Sequence, residues 1–161
     1  MDNIFLLLGT NVGDVTKNLH DALEALEDKG IAVKEKSRLY RTKPWGVAGQ
    51  PDFLNMAVEV ACAYTPGELL AQIKQIEAAL GRAPTAPRWG PRVIDIDILF
   101  YNHEVVTDDA LTIPHKEFFN RPFAMKLLAE IAPDFVPPQT NKKMIEHLDG
   151  VNCGECEIYC H

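Results

Sequence analysis

Asp95 and Asp97 stand two residues apart in the run Val93-Ile94-Asp95-Ile96-Asp97-Ile98-Leu99-Phe100. Alternation of this kind makes a strand, and a strand sends every second side chain to the same face. Both carboxylates then share one face, about 7 Å apart at Cα, with Ile94, Ile96, Ile98 and Phe100 on the other. Two ionised carboxylates so placed repel each other unless a cation sits between them. Their hard oxygens suit Mg²⁺ with substrate phosphates completing the octahedron. Two such ions would lie about 3.5–4 Å apart. The alternative at this point is a pair that merely faces solvent on a one-sided sheet.

The surroundings favour phosphate. No acidic residue lies between Glu77 and Asp95, yet three of the chain's six arginines, Arg82, Arg88 and Arg92, fall there. A basic flap beside a carboxylate pair complements a polyphosphate and its metals, and the planar guanidinium grips phosphate oxygens in pairs. Trp89, beside Arg88, is costly as an exposed loop residue unless it covers something such as a flat ring. Trp45, Phe53 and Phe123 form a second aromatic set, with core packing as the competing reading for Phe123. Asn55 follows Phe53 by two and shares its face, pairing a ring that stacks with an amide that donates and accepts. That suits a planar heterocycle with lactam and amine edges. His115, with Arg121 six residues on, adds possible phosphate contacts. Gly9-Thr10-Asn11-Val12-Gly13 has the look of a phosphate cradle but lacks the Gly-Lys-Ser/Thr and three-glycine spacings.

Positioning these residues requires the following elements. Asn3 to Gly9 reads as a buried strand, followed by a helix from Asp14 whose Val15, Leu19, Ala22, Leu23 and Leu26 recur at helical spacing until Gly30. Residues 31–40 read as one charged strand and residues 41–52 as a loop. Phe53 to Tyr64 reads as a half-buried strand, with Leu54, Met56, Val58, Val60 and Cys62 inward. Thr65-Pro66-Gly67-Glu68 has capping-box spacing and opens a helix with a Leu69, Ile73, Ile76, Leu80 stripe, closed by Gly81. Residues 82–92 form a loop and 93–101 a strand. Asn102-His103 then reads as a hairpin turn into residues 104–106. A third helix spans about 122–132, and Pro133, Pro137 and Pro138 close the packed region. The order strand, helix, strand, strand, helix, strand is that of a ferredoxin-like α+β sandwich, an antiparallel sheet with helices packed on it.

Length and composition agree. The chain has 161 residues with 47% hydrophobic and 24% charged residues, enough for a single domain, 1–161, that buries a core without disulfides. Its net charge of −7 argues against nucleic-acid or anionic-membrane partners. Ile4 to Leu8 is too short an apolar run for a membrane span or signal peptide. The four cysteines do not form a secreted framework, so the reading is cytoplasmic; a monomer is expected. Cys153, Cys156, Cys160 and His161 crowd a tail in which a frayed end is the default and a structural zinc the alternative. Two rival functions remain open on these grounds: a metal-dependent phosphodiesterase or nucleotidyltransferase, and a ferredoxin-like sensor of small molecules.

Taken together, the residues resemble the 6-hydroxymethyl-7,8-dihydropterin pyrophosphokinase family. The likeness runs from Asn3 to about Pro138. It rests on Leu8-Gly9-Thr10-Asn11, Tyr40-Arg41-Thr42-Lys43-Pro44-Trp45-Gly46, Gln50-Pro51-Asp52-Phe53-Leu54-Asn55, Arg88-Trp89-Gly90-Pro91-Arg92 through Asp95 and Asp97, and Ile113-Pro114-His115 with Asn120-Arg121. The resemblance implies transfer of the pyrophosphoryl group of ATP to a pterin alcohol in folate biosynthesis, with two Mg²⁺ on Asp95 and Asp97. It places the pterin at Thr42, Pro44, Trp45, Phe53, Asn55, Trp89 and Phe123. Lys74, Glu77, Arg82, Arg88, Trp89, Arg92, Ile98, Leu111, Thr112, His115 and Arg121 would take ATP, with Arg82 and Arg92 also serving catalysis and Asp97 the proton acceptor where a side chain serves. Pro84, Lys74 and Lys116 depart from the family pattern, where arginine, glutamine and an aromatic residue are familiar. Residues 139–161 lie beyond the likeness as an extension.

Overall fold

The computed structural model describes residues 3–42, 52–81, 93–148 and, as backbone, 156–158. The first strand, β1 (Ile4–Thr10), has all seven residues buried. It leads through a turn into α1 (Val15–Asp28), whose N-cap Asp14 accepts the Lys17 N–H. Asn18 on that helix holds the turn, donating from its amide to the Val12 carbonyl (2.7 Å) and the Thr10 hydroxyl (3.1 Å). Gly30, at φ +81°, then ends the helical segment as its spacing predicts.

Residues 31–40 divide into β2 (Ala32–Lys36) and β3 (Tyr40–Thr42), where a single strand was expected. Ser37 causes the break. Its hydroxyl accepts the Ala57 N–H and its own N–H donates to the Ala57 carbonyl, while the Arg38 N–H turns away to Glu130. Arg41 and Thr42, expected in the loop, complete β3. Next come β4 (Phe53–Ala61) and α2 (Pro66–Ala79), the latter opened by the full Thr65–Glu68 capping box. Then follow β5 (Asp95–Tyr101), the two-residue strands β6 (Val106–Thr107) and β7 (Thr112–Ile113), and α3 (Pro122–Ile131). A short helix, α4 (Met144–His147), and the strand β8 (Cys156–Ile158) complete the described chain.

The main sheet runs β5-β1-β4-β3-β8 with β2 also on β4, and every pairing is antiparallel. This is the expected ferredoxin-like arrangement. Ile4, Leu6 and Leu8 meet the apolar stripes of α1 and α2 on one face. Phe5, Leu7, Ala57, Leu99 and Phe100 meet α3, Phe118, Phe135 and Met144 on the other. β4 is therefore covered on both faces rather than half-buried, because α3 packs on the side that carries Ala57.

Three further expectations are corrected. Phe100 does not share a face with Ile94, Ile96 and Ile98. Opposite β1, Phe5 pairs with Phe100 and Leu6 with Ile98, so Leu99 is an extra residue that turns Phe100 over. Residues 102–106 do not form a hairpin back along β5: Asn102 turns the chain at φ +53° and clasps Asn3, and β6 pairs with β7 instead. Nor does packing end at Pro138. Met144 is fully buried and its N–H donates to the Phe135 carbonyl, and β8 pairs with β3, so that part of the tail is sheet rather than frayed end. Cys153, Cys160 and His161 lie outside the described residues.

If Met144 belongs to the core, Met144→Ala should destabilise the chain by about 2–5 kcal/mol, read from urea unfolding midpoints. A loss below about 1 kcal/mol would place it among surface substitutions and return the segment beyond Pro138 to the periphery.

Candidate active site

β1 carries β5 on one edge and β4 on the other, and their register sets out the site. Gly9 lies opposite both Asp95 and Asn55, and Asn55 lies opposite Tyr40. One residue pair further into the sheet, Leu7 lies opposite Asp97 and Ala57. Residues directly opposite project to the same face. Asp95, Asp97, Asn55, Phe53 and Thr42 consequently all stand on the face covered by α3, at the end of the sheet where β1 finishes and β4 and β5 begin.

Two basic groups converge on Asp97. Arg121, the N-cap of α3, brings Nη1 to 3.6 Å from Oδ2 of Asp97, and His115 brings Nε2 to 3.8 Å from Oδ1. The His115 backbone N–H donates to the Leu99 carbonyl, which draws the segment after β7 onto β5. Its Nδ1 accepts the Glu117 N–H at 3.1 Å, leaving the proton of the neutral ring on Nε2, toward the carboxylate. Sequence reading offered both residues to phosphate and missed this link to Asp97, since nothing in the spacing of 97, 115 and 121 shows it. Burial, and after it the charge of Arg121, holds the His115 pKa down to about 4 against the pull of Asp95 and Glu117.

On the other side of β5, Glu77 of α2 is only 3% exposed. Its Oε2 accepts the Ile96 N–H at 2.9 Å, between the two aspartates, and Lys74 brings Nζ to 3.6 Å from Oε1. Ile98 is buried in the α1/α2 core and Leu111 packs partly against it, with Thr112 half-buried on β7. The residues that the resemblance offers to ATP thus flank β5 on both faces: Lys74, Glu77, Ile98 and Leu111 on the α2 side, His115 and Arg121 on the aspartate side.

Asn55 is 4% exposed and donates from Nδ2 to the Thr42 hydroxyl at 2.7 Å. That bond orients the amide so that Oδ1 lies toward Gly9. Thr42 acts here through Asn55. Phe53 is half-buried at the start of β4, and Phe123 is half-buried on the first turn of α3, against the second core. Pro44, Trp45, Arg82, Arg88, Trp89 and Arg92 lie outside the described residues.

The donors fit magnesium. Among the described residues no group of three or more His, Cys, Asp or Glu side chains is placed to hold a metal ion. Asp95 and Asp97, half-buried on one face, offer hard oxygens of the kind Mg²⁺ takes when phosphates supply its remaining ligands.

The His115 environment has a stability consequence. Below about 6.5, the ordinary histidine value, the unfolded chain binds a proton that the folded chain refuses until about pH 4. Stability from this group is complete above that window and is lost as pH falls through it, by about 3 kcal/mol at most. Urea unfolding in EDTA between pH 7 and pH 4 should show a steeper decline for the parent chain than for His115→Gln; parallel curves would show that His115 titrates normally.

Comparison with known proteins identifies the family of the chain. The family described as 7,8-dihydro-6-hydroxymethylpterin-pyrophosphokinase matches residues 5–133. A 2-amino-4-hydroxy-6-hydroxymethyldihydropteridine pyrophosphokinase of Methylorubrum extorquens is 47% identical over 137 residues, covering 84% of this chain and 86% of the relative. A protein of the same description from Synechocystis is 40% identical over 147 residues, covering 91% of this chain and 74% of the relative. In fold, the chain is similar to the crystal structure of Plasmodium falciparum HPPK-DHPS, with a TM-score of 0.75 at 18% identity, over 93% of this chain and 45% of that one. The chain spans less than half of that structure's length. Among the described residues no helix is long and apolar enough to cross a membrane. On the match over residues 5–133 and the extent of identity to its relatives, the chain belongs to the 7,8-dihydro-6-hydroxymethylpterin-pyrophosphokinase family.

Proposed function

We infer that this end of the sheet aligns ATP with a pterin alcohol, with Asp95 and Asp97 as ligands of two Mg²⁺ ions. The reaction follows from family membership: the chain is an ATP-dependent pyrophosphokinase that transfers the pyrophosphoryl group of ATP to 6-hydroxymethyl-7,8-dihydropterin in folate biosynthesis, releasing AMP. The observation that carries the residue assignment is the shared face and end of Asp95, Asp97, Asn55 and Phe53.

Asp95 and Asp97 would hold the magnesium, which would supply charge neutralisation at the transferring phosphates. The chain's own residues do the rest. Phe53 and Phe123 hold the pterin ring between them, with Trp45, Trp89 and the backbone near Thr42 and Pro44 around it. Asn55, its amide nitrogen committed to Thr42, presents Oδ1 as an acceptor to the N–H groups of the pterin edge. Asp97 takes the proton of the attacking hydroxymethyl group at a carboxylate oxygen. Arg121 and His115 hold that carboxylate in orientation. The hydroxymethyl oxygen attacks the β-phosphorus in line with the departing AMP, so catalysis is mostly positioning and charge stabilisation. Arg82, Arg88 and Arg92 grip the polyphosphate. The nucleotide crosses the outer edge of β5, its base end toward Ile98, Leu111, Thr112, Lys74 and Glu77 and its phosphates toward the aspartates. The chain acts as a single monomeric domain of the cytoplasm, with residues 139–161 as an extension of that domain.

An assay for AMP formation tests this reading: AMP should accumulate only when ATP, Mg²⁺ and the pterin alcohol are all present, and pterin-independent AMP would sink it. Asp95→Ala and Asp97→Ala should each abolish turnover because each removes a proposed metal ligand. Asp95→Ala should leave the fold as stable or more so by relieving like-charge repulsion, whereas Asp97→Ala should cost stability because Arg121 and His115 lose the carboxylate they approach. More than about a tenth of the parent turnover at saturating Mg²⁺ in either variant would remove the two-metal assignment.

Phe53→Ala and Phe123→Ala should each weaken pterin binding by roughly 1–3 kcal/mol, by analogy with bases stacked on aromatic side chains, and leave ATP affinity nearly constant. Calorimetric titration with each ligand decides it, and a loss directed mainly at ATP would mean the pterin slot is misplaced.

A further inference from the structure

We propose that Gly9 is a positioning residue for the pterin, and that its missing side chain sets the place of Asn55 Oδ1 and the Phe53 ring above β1. The proposal rests on the pterin reading given above.

A glycine inside a fully buried central strand weakens that strand, since it contributes no side-chain packing and loses the most backbone freedom on folding. Backbone conformation does not require it here. Gly13, Gly30 and Gly81 are the described glycines with positive φ, and Gly9 is not among them. What Gly9 does provide is space. A Cβ built on it would lie 3.1 Å from Asn55 Oδ1 and 3.8 Å from Cδ1 of Phe53. The second distance is an ordinary contact, so the Phe53 ring already packs diagonally over the glycine from the neighbouring strand, a known way of covering a bare backbone in a sheet. The first is too close for comfort, and Asn55 has little freedom to retreat. Its side chain is buried and its Nδ2 is tied to Thr42 Oγ1 at 2.7 Å. A methyl group at position 9 must therefore displace Oδ1 of Asn55, or strain the Thr42 bond, or both.

The place in the register gives this space its meaning. Gly9 is the residue between Asp95 and Asn55, whose strands lie two steps apart, about 9.6 Å. A bicyclic heterocycle read by Asn55 at one edge, with its hydroxymethyl arm directed to the aspartates, must cross the surface above Gly9. A side chain there would raise the floor under the ring and move the group that reads its edge.

Gly9→Ala tests this, with pterin and Mg²⁺-ATP analogue affinities measured separately on the full chain. The variant should still fold, with a midpoint somewhat below the parent's, since the collision with Asn55 outweighs what alanine gains over glycine in a strand. Its pterin Kd should rise about tenfold or more while its ATP-analogue Kd stays within about twofold, and pterin KM should rise more than kcat falls. In an Asn55→Ala background the same substitution should cost much less pterin affinity, because the displaced oxygen is gone. An unchanged pterin Kd, or an equal loss for both ligands, overturns the proposal and leaves the pyrophosphokinase reading standing. Absence of pterin-dependent AMP in the parent chain overturns both. Should Gly9→Ala fail to fold, the Gly9→Ala/Asn55→Ala chain decides: recovery of folding supports the collision, and continued failure overturns it.

Discussion

A strand with water on neither face has to satisfy its backbone along both edges, because a buried N–H or C=O without a partner costs as much as a lost hydrogen bond. β1 is such a strand, with all seven residues buried. It meets that demand by pairing with β4 on one side and β5 on the other, in registers that leave no freedom to slide. A slip of one residue would send Ile4, Leu6 and Leu8 out of the α1/α2 core and Phe5 and Leu7 out of the α3 core. The same registers place Asp95 and Asn55 on either side of Gly9. Two segments of chain forty residues apart thus reach one row because the core requires it. The geometry of that row is a by-product of burying β1 correctly.

β5 is placed between two kinds of support. From the α2 face, Glu77 accepts the Ile96 N–H, so a buried carboxylate secures the backbone between the aspartates. From the α3 face, Arg121 and His115 approach the two oxygens of Asp97. A buried carboxylate such as Glu77 is tolerable because it receives a backbone donor and has Lys74 nearby. The neutral state of His115 matters for the same reason: a second full cation beside Arg121 in this half-dry region would be repelled, while the neutral ring still offers an N–H toward Asp97.

What could be read from the residues in order was whatever depends on short spacing. The shared face of Asp95 and Asp97, the capping box at Thr65, the stop at Gly30 and the core stripe of α2 all follow from two-, three- and four-residue periods, and the structure has them. Illegible features depend on two strands at once. Leu99 is an extra residue only relative to Phe5 and Leu6, so no reading of β5 alone shows that Phe100 turns over. Ser37 breaks a strand because Ala57 is there to receive it. β4 looked half-buried because Asn55 and Glu59 alternate with apolar residues, and the helix that covers that face lies some sixty residues on. In the site, Phe53, Asn55 and Asp95 were legible as chemistry. The meeting of His115 and Arg121 at Asp97 was not, because it depends on where α3 docks. Gly9 was visible as a glycine, but its reason lies on the neighbouring strand.

The position of the two aspartates relative to the core also explains why they need different surroundings. Asp97 lies opposite Leu7 and in line with Ala57, both core residues, so its carboxylate stands beside a buried apolar row. Asp95 lies opposite Gly9, one pair further out, where the row contains an amide and a bare backbone. A carboxylate beside an apolar row bears a desolvation cost that water does not fully relieve, and Arg121 at the N-terminus of α3 offsets it. Phe123, two residues along the same helix, is then delivered to the face that carries Phe53. One docking event, α3 onto the Leu7 and Ala57 face, therefore serves the buried core, the charge of Asp97 and the aromatic wall together. On the reading proposed above, this lets a small sheet hold a highly charged substrate at the edge of an apolar core.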